Sequence, residues 1–291
     1  MKIKNRNGFC RFRLRVQGGL MKLKFYGVSG SIPTPGPNTI KYGGNTVCVS
    51  LCSDSGTRLI IDAGTGLRVL GEELIKDKCP IYLLLSHNHW DHIQGFPFFI
   101  PAYMERKITI VPGMTQPHAP DAILAQMNGS YFPVHPDDLT AEIKLEVHQL
   151  DHWHYKEIDI ERKAMNHPGG GSAYKFYVDG MVIVYAIDNE LYPPNRPVTT
   201  FEQWIEFVQG VDYLIHDGQF IPCDYPLKLG WGHSQIKDAL VLAAKGNVKT
   251  LVIISHDPSR SDEDLDKIKR EIDAQHLPFE TILAFEGLEL Q

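Results

Sequence analysis

The sequence predicts an α/β protein, because short apolar runs of strand length alternate with runs of helical period along most of its 291 residues. The composition agrees with a globular fold, since 43% of the residues are hydrophobic and 22% are charged. Metal-ligating side chains also follow several of the predicted strands, at the strand ends where α/β proteins place their sites. One large domain is expected over residues 21–291.

The first half of this domain contains short apolar runs and one amphipathic run. They predict, in chain order, strand 23–27, strand 45–51, strand 57–62, helix 66–76 and strand 81–86. Farther on, two alternating runs at 172–178 and 181–188 are joined by Asp179-Gly180, a dipeptide that favours two-residue hairpin turns. The remaining predicted elements are helix 201–209, strand 213–217, helix 234–245, strand 249–255 and helix 262–274.

Two segments differ from this pattern. Residues 1–20 carry six basic side chains and no acidic one, and they predict an extension outside the domain that is either disordered or an artefact of an upstream start. Segment 112–140 is rich in proline, glycine and aromatic residues. We expect it to leave the core as a loop, with a lid or a dimer contact as its possible functions.

Charge and composition exclude several classes of protein. The formal net charge is −6, from 29 basic and 35 acidic side chains, so the molecule as a whole repels polyanions. The sequence has neither an apolar run long enough to cross a bilayer nor a secretory signal. Its five cysteines form no CxxC pair and predict reduced thiols. A cytoplasmic protein that does not enter membranes is therefore expected.

A cluster of potential metal ligands directly follows the apolar strand 81–86. His87 and His89 point to the same side of an extended chain, so their rings can converge on one ion. Asp91 and His92 follow where the chain turns, and they can face a second ion. Imidazole and carboxylate together suit zinc, manganese or iron. The alternative is a histidine-rich surface loop, which this spacing disfavours.

Four more side chains stand at or just beyond predicted strand ends. His167, Asp188 and His256 are further candidate ligands. Asp62 ends strand 57–62, where a buried carboxylate could support the ligand-bearing loop. The alternative for Asp62 is a cap for the helix that begins near Gly66.

The pattern HxHxDH, followed in order by His167, Asp188 and His256, resembles the metallo-β-lactamase superfamily over the whole chain from Met21 onward. The resemblance implies an αββα sandwich with a dinuclear metal site at one edge, holding two divalent ions, zinc or manganese. It implies that His87, His89 and His167 bind one ion, that Asp91, His92 and His256 bind the other, and that Asp188 bridges them. It also gives Asp62 the supporting role.

Two further segments resemble the RNase Z-like subgroup and its cyclic-phosphodiesterase relatives. They are 214–220, which contains His216 and Asp217, and 232–235, which contains His233. The similarity implies metal-assisted hydrolysis of a phosphodiester by a metal-activated hydroxide. Asp91 would orient the water, His233 would protonate the leaving oxygen, and Asp217 would hold His233. His233 could alternatively be a residue beside a helix cap, and for His216 a structural and a substrate-binding role are both open.

The chain departs from RNase Z at the position of the RNA-binding arm, since the interval between His167 and Asp188 is filled by the predicted hairpin. Binding of a large RNA is therefore not expected. Residues 27–33 and 43–46 also resemble bacterial and phage cyclic-nucleotide phosphodiesterases, including the anti-Pycsar enzymes. This resemblance implies a homodimer that hydrolyses a small cyclic phosphodiester, a 3′,5′-cyclic mononucleotide, to the monophosphate. Candidate substrate contacts in the excursion are Tyr131, Phe132 and His135.

Two other functions stay open on the sequence alone. One is tRNA 3′-processing by an endonuclease of the RNase Z type. The other is metal-dependent binding of nucleotides without catalysis.

Overall fold

Two mixed sheets of seven strands each form the centre of the computed structural model, which describes residues 21–225 and 227–291. The predicted extension at 1–20 lies outside the described residues. In chain order the strands of the first sheet are β1 (Lys22–Gly27), β2 (Cys48–Cys52), β3 (Arg58–Ile61), β4 (Ile81–Leu84), β5 (Lys107–Val111) and β6 (Glu142–Leu145). The second sheet holds β7 (His152–Tyr155), β8 (Ile158–Ala164), β9 (Ser172–Val178), β10 (Met181–Ala186), β11 (Tyr213–Asp217), β12 (Thr250–Ile254) and β13 (Glu280–Leu283). The last strand, β14 (Glu289–Leu290), returns to pair with β1 at the edge of the first sheet.

Helices cover the outer face of each sheet. They are α1 (Gly66–Glu73), α2 (Trp90–Ile93), α3 (Ala122–Ala125), α4 (Phe201–Phe207), α5 (Ile236–Lys245) and α6 (Asp262–Asp273). Short 3₁₀ turns lie at Phe96–Phe98, Ile100–Tyr103, Pro136–Asp138 and Pro222–Asp224. Among the described residues no helix has both the length and the apolar character that a membrane span requires.

Alternation along the strands divides the apolar residues among three cores. On β10, Ile183 and Tyr185 face the core between the sheets, whereas Val184 and Ala186 face α4 and α5. On β3, Leu59 and Ile61 likewise face inward while Ile60 packs toward α1. This arrangement is the expected αββα sandwich, and the prediction of that fold class is confirmed.

The strand order brings the candidate ligands to one edge of the sandwich. In the first sheet β3 and β4 are parallel neighbours, and in the second sheet β10, β11 and β12 are parallel neighbours. Their carboxyl ends meet where Tyr185 of β10 donates a hydrogen bond to Asp62 beyond β3, at 2.7 Å. The loops after these five strands therefore lie together.

The segment between β5 and β6 is the one expected to leave the core. It consists mainly of turns, with α3 and one 3₁₀ turn as its regular parts. Its first residues lie beside the ligand cluster, because Asn88 donates hydrogen bonds to Thr115 Oγ1 at 3.2 Å and to the Ala119 carbonyl at 2.8 Å. Its role as a lid or a dimer contact stays a prediction.

Candidate metal centre and active site

Three histidine rings converge beyond β4 and β8. The His89 Nδ1 atom lies 3.0 Å from both His87 Nε2 and His167 Nε2. The far nitrogen of His167 donates to the Gly232 carbonyl at 2.9 Å, which fixes the proton on Nδ1 and leaves a lone pair on Nε2. The three rings therefore present nitrogens to one point.

A second group joins His92 to two carboxylates. His92 Nε2 lies 3.1 Å from Asp188 Oδ2 and 3.2 Å from Asp91 Oδ2. Asp188 also faces the first group, with Oδ2 lying 3.6 Å from His87 Nε2 and 3.9 Å from His167 Nε2. The carboxylate of Asp188 thus stands between the two groups, in the position of a bridging ligand.

Asp62 holds this arrangement in place through contacts with Ser86 and His92. Its fully buried carboxylate accepts hydrogen bonds from the Ser86 backbone N–H at 2.7 Å and from the Ser86 hydroxyl at 2.9 Å. It also lies 3.1 Å from His92 Nδ1, which leaves Nε2 of that ring directed at the carboxylates. The N-cap of α1 is Thr65, so the alternative role of Asp62 as a helix cap is not what the structure shows.

Backbone geometry aims the strand-end side chains. Asp62, Asp188 and Ser255 have φ values of 60°, 50° and 61°, in the left-handed region that residues with a Cβ seldom adopt. Asp62 and Ser255 directly follow the last residues of β3 and β12, and Asp188 is the second residue after β10. Such strain is concentrated at functional sites, where it re-aims a side chain away from the strand direction.

The donor set fits divalent cations on physical grounds. Burial lowers the pKa values of His87 and His89, and it lowers the pKa of His167 to about 4, so these rings are neutral ligands at pH 7. Burial would also lower the pKa of His92, but Asp91, Asp188 and Asp62 outweigh it and hold that pKa well above its usual range. Lone pairs beside buried carboxylates create a site that attracts positive charge.

His256 takes a different position from the other predicted ligands. Its Nε2 donates to the Ala284 carbonyl at 2.8 Å, and its ring packs edge-on against Tyr42. Each candidate group of three ligands among the described residues is formed without it. Its Nδ1 is the nitrogen left for a metal, and the role of His256 as a ligand stays a prediction.

His233 and Asp217 form a hydrogen-bonded pair next to the ligands. The His233 Nδ1 atom lies 2.9 Å from Asp217 Oδ2 and 3.9 Å from Asp188 Oδ1. Burial lowers the pKa of His233, but the carboxylates of Asp217 and Asp188 raise it to about 9. Because Nδ1 contacts Asp217, Nε2 is the nitrogen of His233 that can contact a bound molecule. His233 and Asp188 line the same cavity of about 460 Å³ as His89 and Asp91.

The remaining predicted substrate contacts are not in this cavity. His216 is fully buried, with Nδ1 on the Asp217 carbonyl at 2.7 Å and Nε2 3.3 Å from the Asn189 amide, so it supports the fold and is not placed to touch substrate. Tyr131 is 75% exposed, Phe132 packs on Phe98, and the ring of His135 caps the turn at Asp137. These three residues do not line the three cavities of the described residues that contain His167 or His233.

Comparison with known proteins identifies the family. A sequence profile described as "Beta-lactamase superfamily domain" matches residues 57–256, which is more than half of the chain. The chain belongs to the metallo-β-lactamase superfamily. Members of this superfamily are metal-dependent hydrolases, and the strand ends described above carry groups of side chains that could hold a metal ion.

Three relatives of this superfamily align along nearly the whole chain. Ribonuclease Z of Staphylococcus carnosus is 21% identical, over 93% of this chain and 100% of its own length. The metallo-β-lactamase fold protein YhfI from Bacillus subtilis superposes with a TM-score of 0.66 at 19% identity, over 94% of this chain and 100% of its own. Unliganded yeast PDE1 superposes with a TM-score of 0.62 at 15% identity, over 93% and 99%. The likeness to the two solved structures shows the shared superfamily fold.

Several residues of this superfamily site carry no signal in the sequence pattern. The Ser31 backbone N–H donates to Asp91 Oδ2 at 2.8 Å, and Glu190 accepts from the backbone N–H groups of Gly230 and Gly232 at 2.9 and 3.0 Å. Trp90 is 71% exposed and lines the cavity beside Asp91. Trp90 is the exception, since it is a large aromatic residue inside the ligand motif.

Proposed function

We propose that the protein is a phosphodiesterase that hydrolyses a small cyclic phosphodiester, a 3′,5′-cyclic mononucleotide, to the monophosphate. One observation carries the proposal. His233 is held at Nδ1 by Asp217, and it shares one cavity with the ligand side chains His89, Asp91 and Asp188. A proton donor beside a site for cations is the arrangement that cleavage of a phosphodiester requires.

The two ligand groups would hold two divalent ions, zinc or manganese. His87, His89 and His167 would bind one, Asp91, His92 and His256 the other, and Asp188 would contact both. Bound there, such ions supply a water of lowered pKa and neutralise charge on phosphate oxygens. The neutral imidazole of His87 and the buried carboxylate of Asp188 support this assignment.

The chain's own residues would manage the protons. His233 carries a proton at neutral pH because Asp217 and Asp188 raise its pKa to about 9. Its Nε2–H would be donated to the oxygen that leaves phosphorus, while Asp217 keeps the ring in that orientation. Asp91, whose Oδ2 is already fixed by the Ser31 N–H, would orient the attacking water. Together these groups place a water-orienting carboxylate and an acid on the same cavity.

Chain topology favours a small substrate. The interval between His167 and Asp188 consists of a short loop and the β9–β10 hairpin, whose turn at Asp179-Gly180 has φ values of 50° and 78°. No room is left there for a long arm that could grip RNA. The net charge of −6 also opposes binding along a polyanion.

Cleavage of an RNA is the second candidate function. It is favoured by the match to ribonuclease Z of Staphylococcus carnosus, which aligns over the entire length of that enzyme. A ribonuclease also breaks phosphodiester bonds, so the same ligands and the same His233 would serve. The two candidates differ in what holds the substrate outside the reacting phosphate.

A single assay distinguishes the candidates. Purified protein loaded with zinc or with manganese is offered the four common 3′,5′-cyclic mononucleotides and a precursor tRNA, and products are separated by chromatography. We expect conversion of at least one cyclic mononucleotide to a monophosphate and no cleavage of the tRNA. Cleavage of the tRNA alone would replace the proposal with the second candidate. The His233→Ala variant serves as the control for contaminating activity.

A further inference from the structure

A second cavity near the ligands is separate from the one that contains His233. It has a volume of about 770 Å³ and is walled by the start of the β5–β6 excursion, the loop after β6 and the loop that follows His167. His167 forms part of its wall and is also a member of the ligand cluster. The cavity therefore adjoins the place where phosphorus would react. Its volume is in the range of pockets that hold a nucleoside-sized group.

The walls of this cavity contain apolar side chains that are not covered. Met114, Val147 and Val198 come from three separate loops, and they are 41%, 44% and 72% exposed. Scattered apolar residues on a surface need no explanation, but three that converge on one concave surface do. Met165 and Ala164 continue the apolar lining at the floor.

One cation lies in this apolar setting. Arg162 is 8% exposed and lines the cavity, and its position is fixed. Its Nε and Nη2 donate to Asp151 Oδ1 at 3.0 and 2.9 Å, and Nη2 also donates to the His148 carbonyl at 3.2 Å. Its third nitrogen, Nη1, has no hydrogen-bond partner within residues 21–225 and 227–291. A fixed donor is thus left over at the wall.

We infer that this cavity binds the organic part of the substrate, a flat heterocycle that carries a hydrogen-bond acceptor. The inference rests on the proposed phosphodiesterase function and names the part of the molecule that gives it specificity. The ring faces would contact Met114 and Val147, and an acceptor on the ring edge would receive a hydrogen bond from Arg162. The phosphate would lie on the far side of His167, at the ligand cluster. Tyr131, Phe132 and His135 take no part.

Substitutions that fill the cavity and leave the candidate metal ligands unchanged test this inference. Val147→Trp and Met114→Trp place an indole in the apolar wall from two different loops, and both positions are exposed enough to accept it. Val241→Trp, on α5 and 42% exposed, is the matched control because it adds the same group far from the cavity. The zinc-loaded proteins are compared for KM and kcat on each 3′,5′-cyclic mononucleotide, and for binding of adenosine and guanosine 5′-monophosphates by calorimetry.

We expect both cavity variants to raise KM and to weaken monophosphate binding by about tenfold or more, with kcat within about threefold. The control should match the unmodified protein. If KM and monophosphate binding stay within twofold in both cavity variants, the inference is overturned while the proposed function stands. If no cyclic nucleotide is turned over by any of the proteins, the proposed function fails. The binding measurements then decide the role of the cavity by themselves.

Discussion

At the scale of single residues, the properties of His233 are set by opposing forces. Burial disfavours its charged form, whereas the carboxylates of Asp217 and Asp188 favour it, and the carboxylates prevail. The 2.9 Å contact with Asp217 also selects which nitrogen faces the cavity. Charge and orientation of this ring therefore have the same source. Removing the ring and removing the charge beside it should consequently have different effects.

Replacing His233 by alanine should remove the proton donor and leave the metal ligands in place. We expect kcat to fall by about 10²–10⁴-fold, the usual contribution of general acid catalysis. Metal content, measured by elemental analysis, should equal that of the unmodified protein. His152→Ala, at an exposed position on β7, controls for the loss of a histidine. Loss of both metals would instead place His233 among the ligands, where it lies beside His167 and Asp188.

Asp217→Asn should change the pH profile more than the fold. The amide oxygen can still accept from His233, but it lacks the charge that raises the pKa of that ring. A general acid must be protonated, so activity declines as pH rises through its pKa. We expect the alkaline limb of kcat/KM to move to lower pH by about one unit or more. An unmoved limb, in a variant with unchanged melting temperature, would contradict the assignment.

At the scale of secondary-structure elements, the site depends on loops whose positions are fixed by backbone contacts. The loop before α5 carries His233, and its Gly232 carbonyl accepts from His167 across the cleft. Gly232 has a φ of 90°, and a Cβ built on it would lie 2.2 Å from His167 Nδ1. Only glycine satisfies both the conformation and the close approach. This loop therefore positions the candidate ligand His167 as well as the proposed proton donor His233.

Gly232→Ala should weaken metal binding and activity together. The added methyl group pushes His167 away from its carbonyl partner, and loss of such an outer contact costs about 10–100-fold in metal affinity. Gly230→Ala is the matched control, since its φ is 84° but its Cβ would meet only Pro194, at 3.1 Å. Metal affinity is measured by competition with a chromophoric chelator. Equal losses in the two variants would mean that backbone strain, and not His167, is responsible.

Elements with a strong local pattern could be predicted from the sequence, and those held by pairing could not. The hairpin of β9 and β10 has alternating apolar residues and a turn dipeptide, and the structure places both where they were expected. By contrast β7, with the sequence HWHY, is polar on its outer face and forms a strand because β8 lies beside it. Strand β14 has two residues and exists through its pairing with β1. Such strands depend on hydrogen bonds to distant segments, which a local pattern does not contain.

The candidate site also depends on contacts between distant segments, which a local sequence pattern does not contain. The ligands after β4 are close in sequence, so their convergence could be predicted from spacing. The contacts that orient them could not, because they come from the backbone of other loops. The Gly232 carbonyl and the Ser31 N–H carry no side-chain signature, and they become visible only when the strands are assembled. The sequence alone leaves the role of His216 open, since both buried and functional residues occur at strand ends.

At the scale of the whole molecule, the net charge determines how binding depends on salt, and the buried histidines determine how stability depends on pH. The net charge of −6 gives no attraction for long polyanions, and the binding energy for a phosphodiester has to come from the local site. Buried histidines, meanwhile, make folding sensitive to acid. Both effects can be measured without any variant.

Salt should have little effect on hydrolysis of a cyclic mononucleotide. A protein that neutralises many phosphates loses about 10³–10⁵-fold in affinity between 50 and 200 mM salt, because it releases many counterions. A substrate with a single phosphate contact should show a change in KM of about threefold or less over that range. Initial rates at several salt concentrations provide the measurement. A steep salt dependence would favour a polyanionic substrate.

The metal-free protein should lose stability as pH falls from 7 to 5. Burial lowers the pKa values of His167 and His256 from 6.5 to about 4, so the unfolded chain takes up protons in this range and the folded chain does not. Unfolding is therefore favoured below pH 6.5, by about 2 kcal/mol for each ring at pH 5. His233, whose pKa is raised to about 9, adds stability that is complete below pH 6.5. Its contribution therefore changes little between pH 6.5 and 5, and it does not mask the loss from His167 and His256. Urea unfolding of chelator-treated protein tests this, and stability that rises toward pH 5 would contradict it.

The carbonyl of Gly232 links the position of the candidate ligand His167 to that of the proposed proton donor His233. Because the Gly232 carbonyl holds the candidate ligand His167 from the loop that carries the proposed proton donor, binding of an ion there would also order the residue that donates the proton. A newly synthesised chain without ions would then lack both the metals and an ordered proton donor. A displacement of this loop would therefore disturb His167 and His233 together.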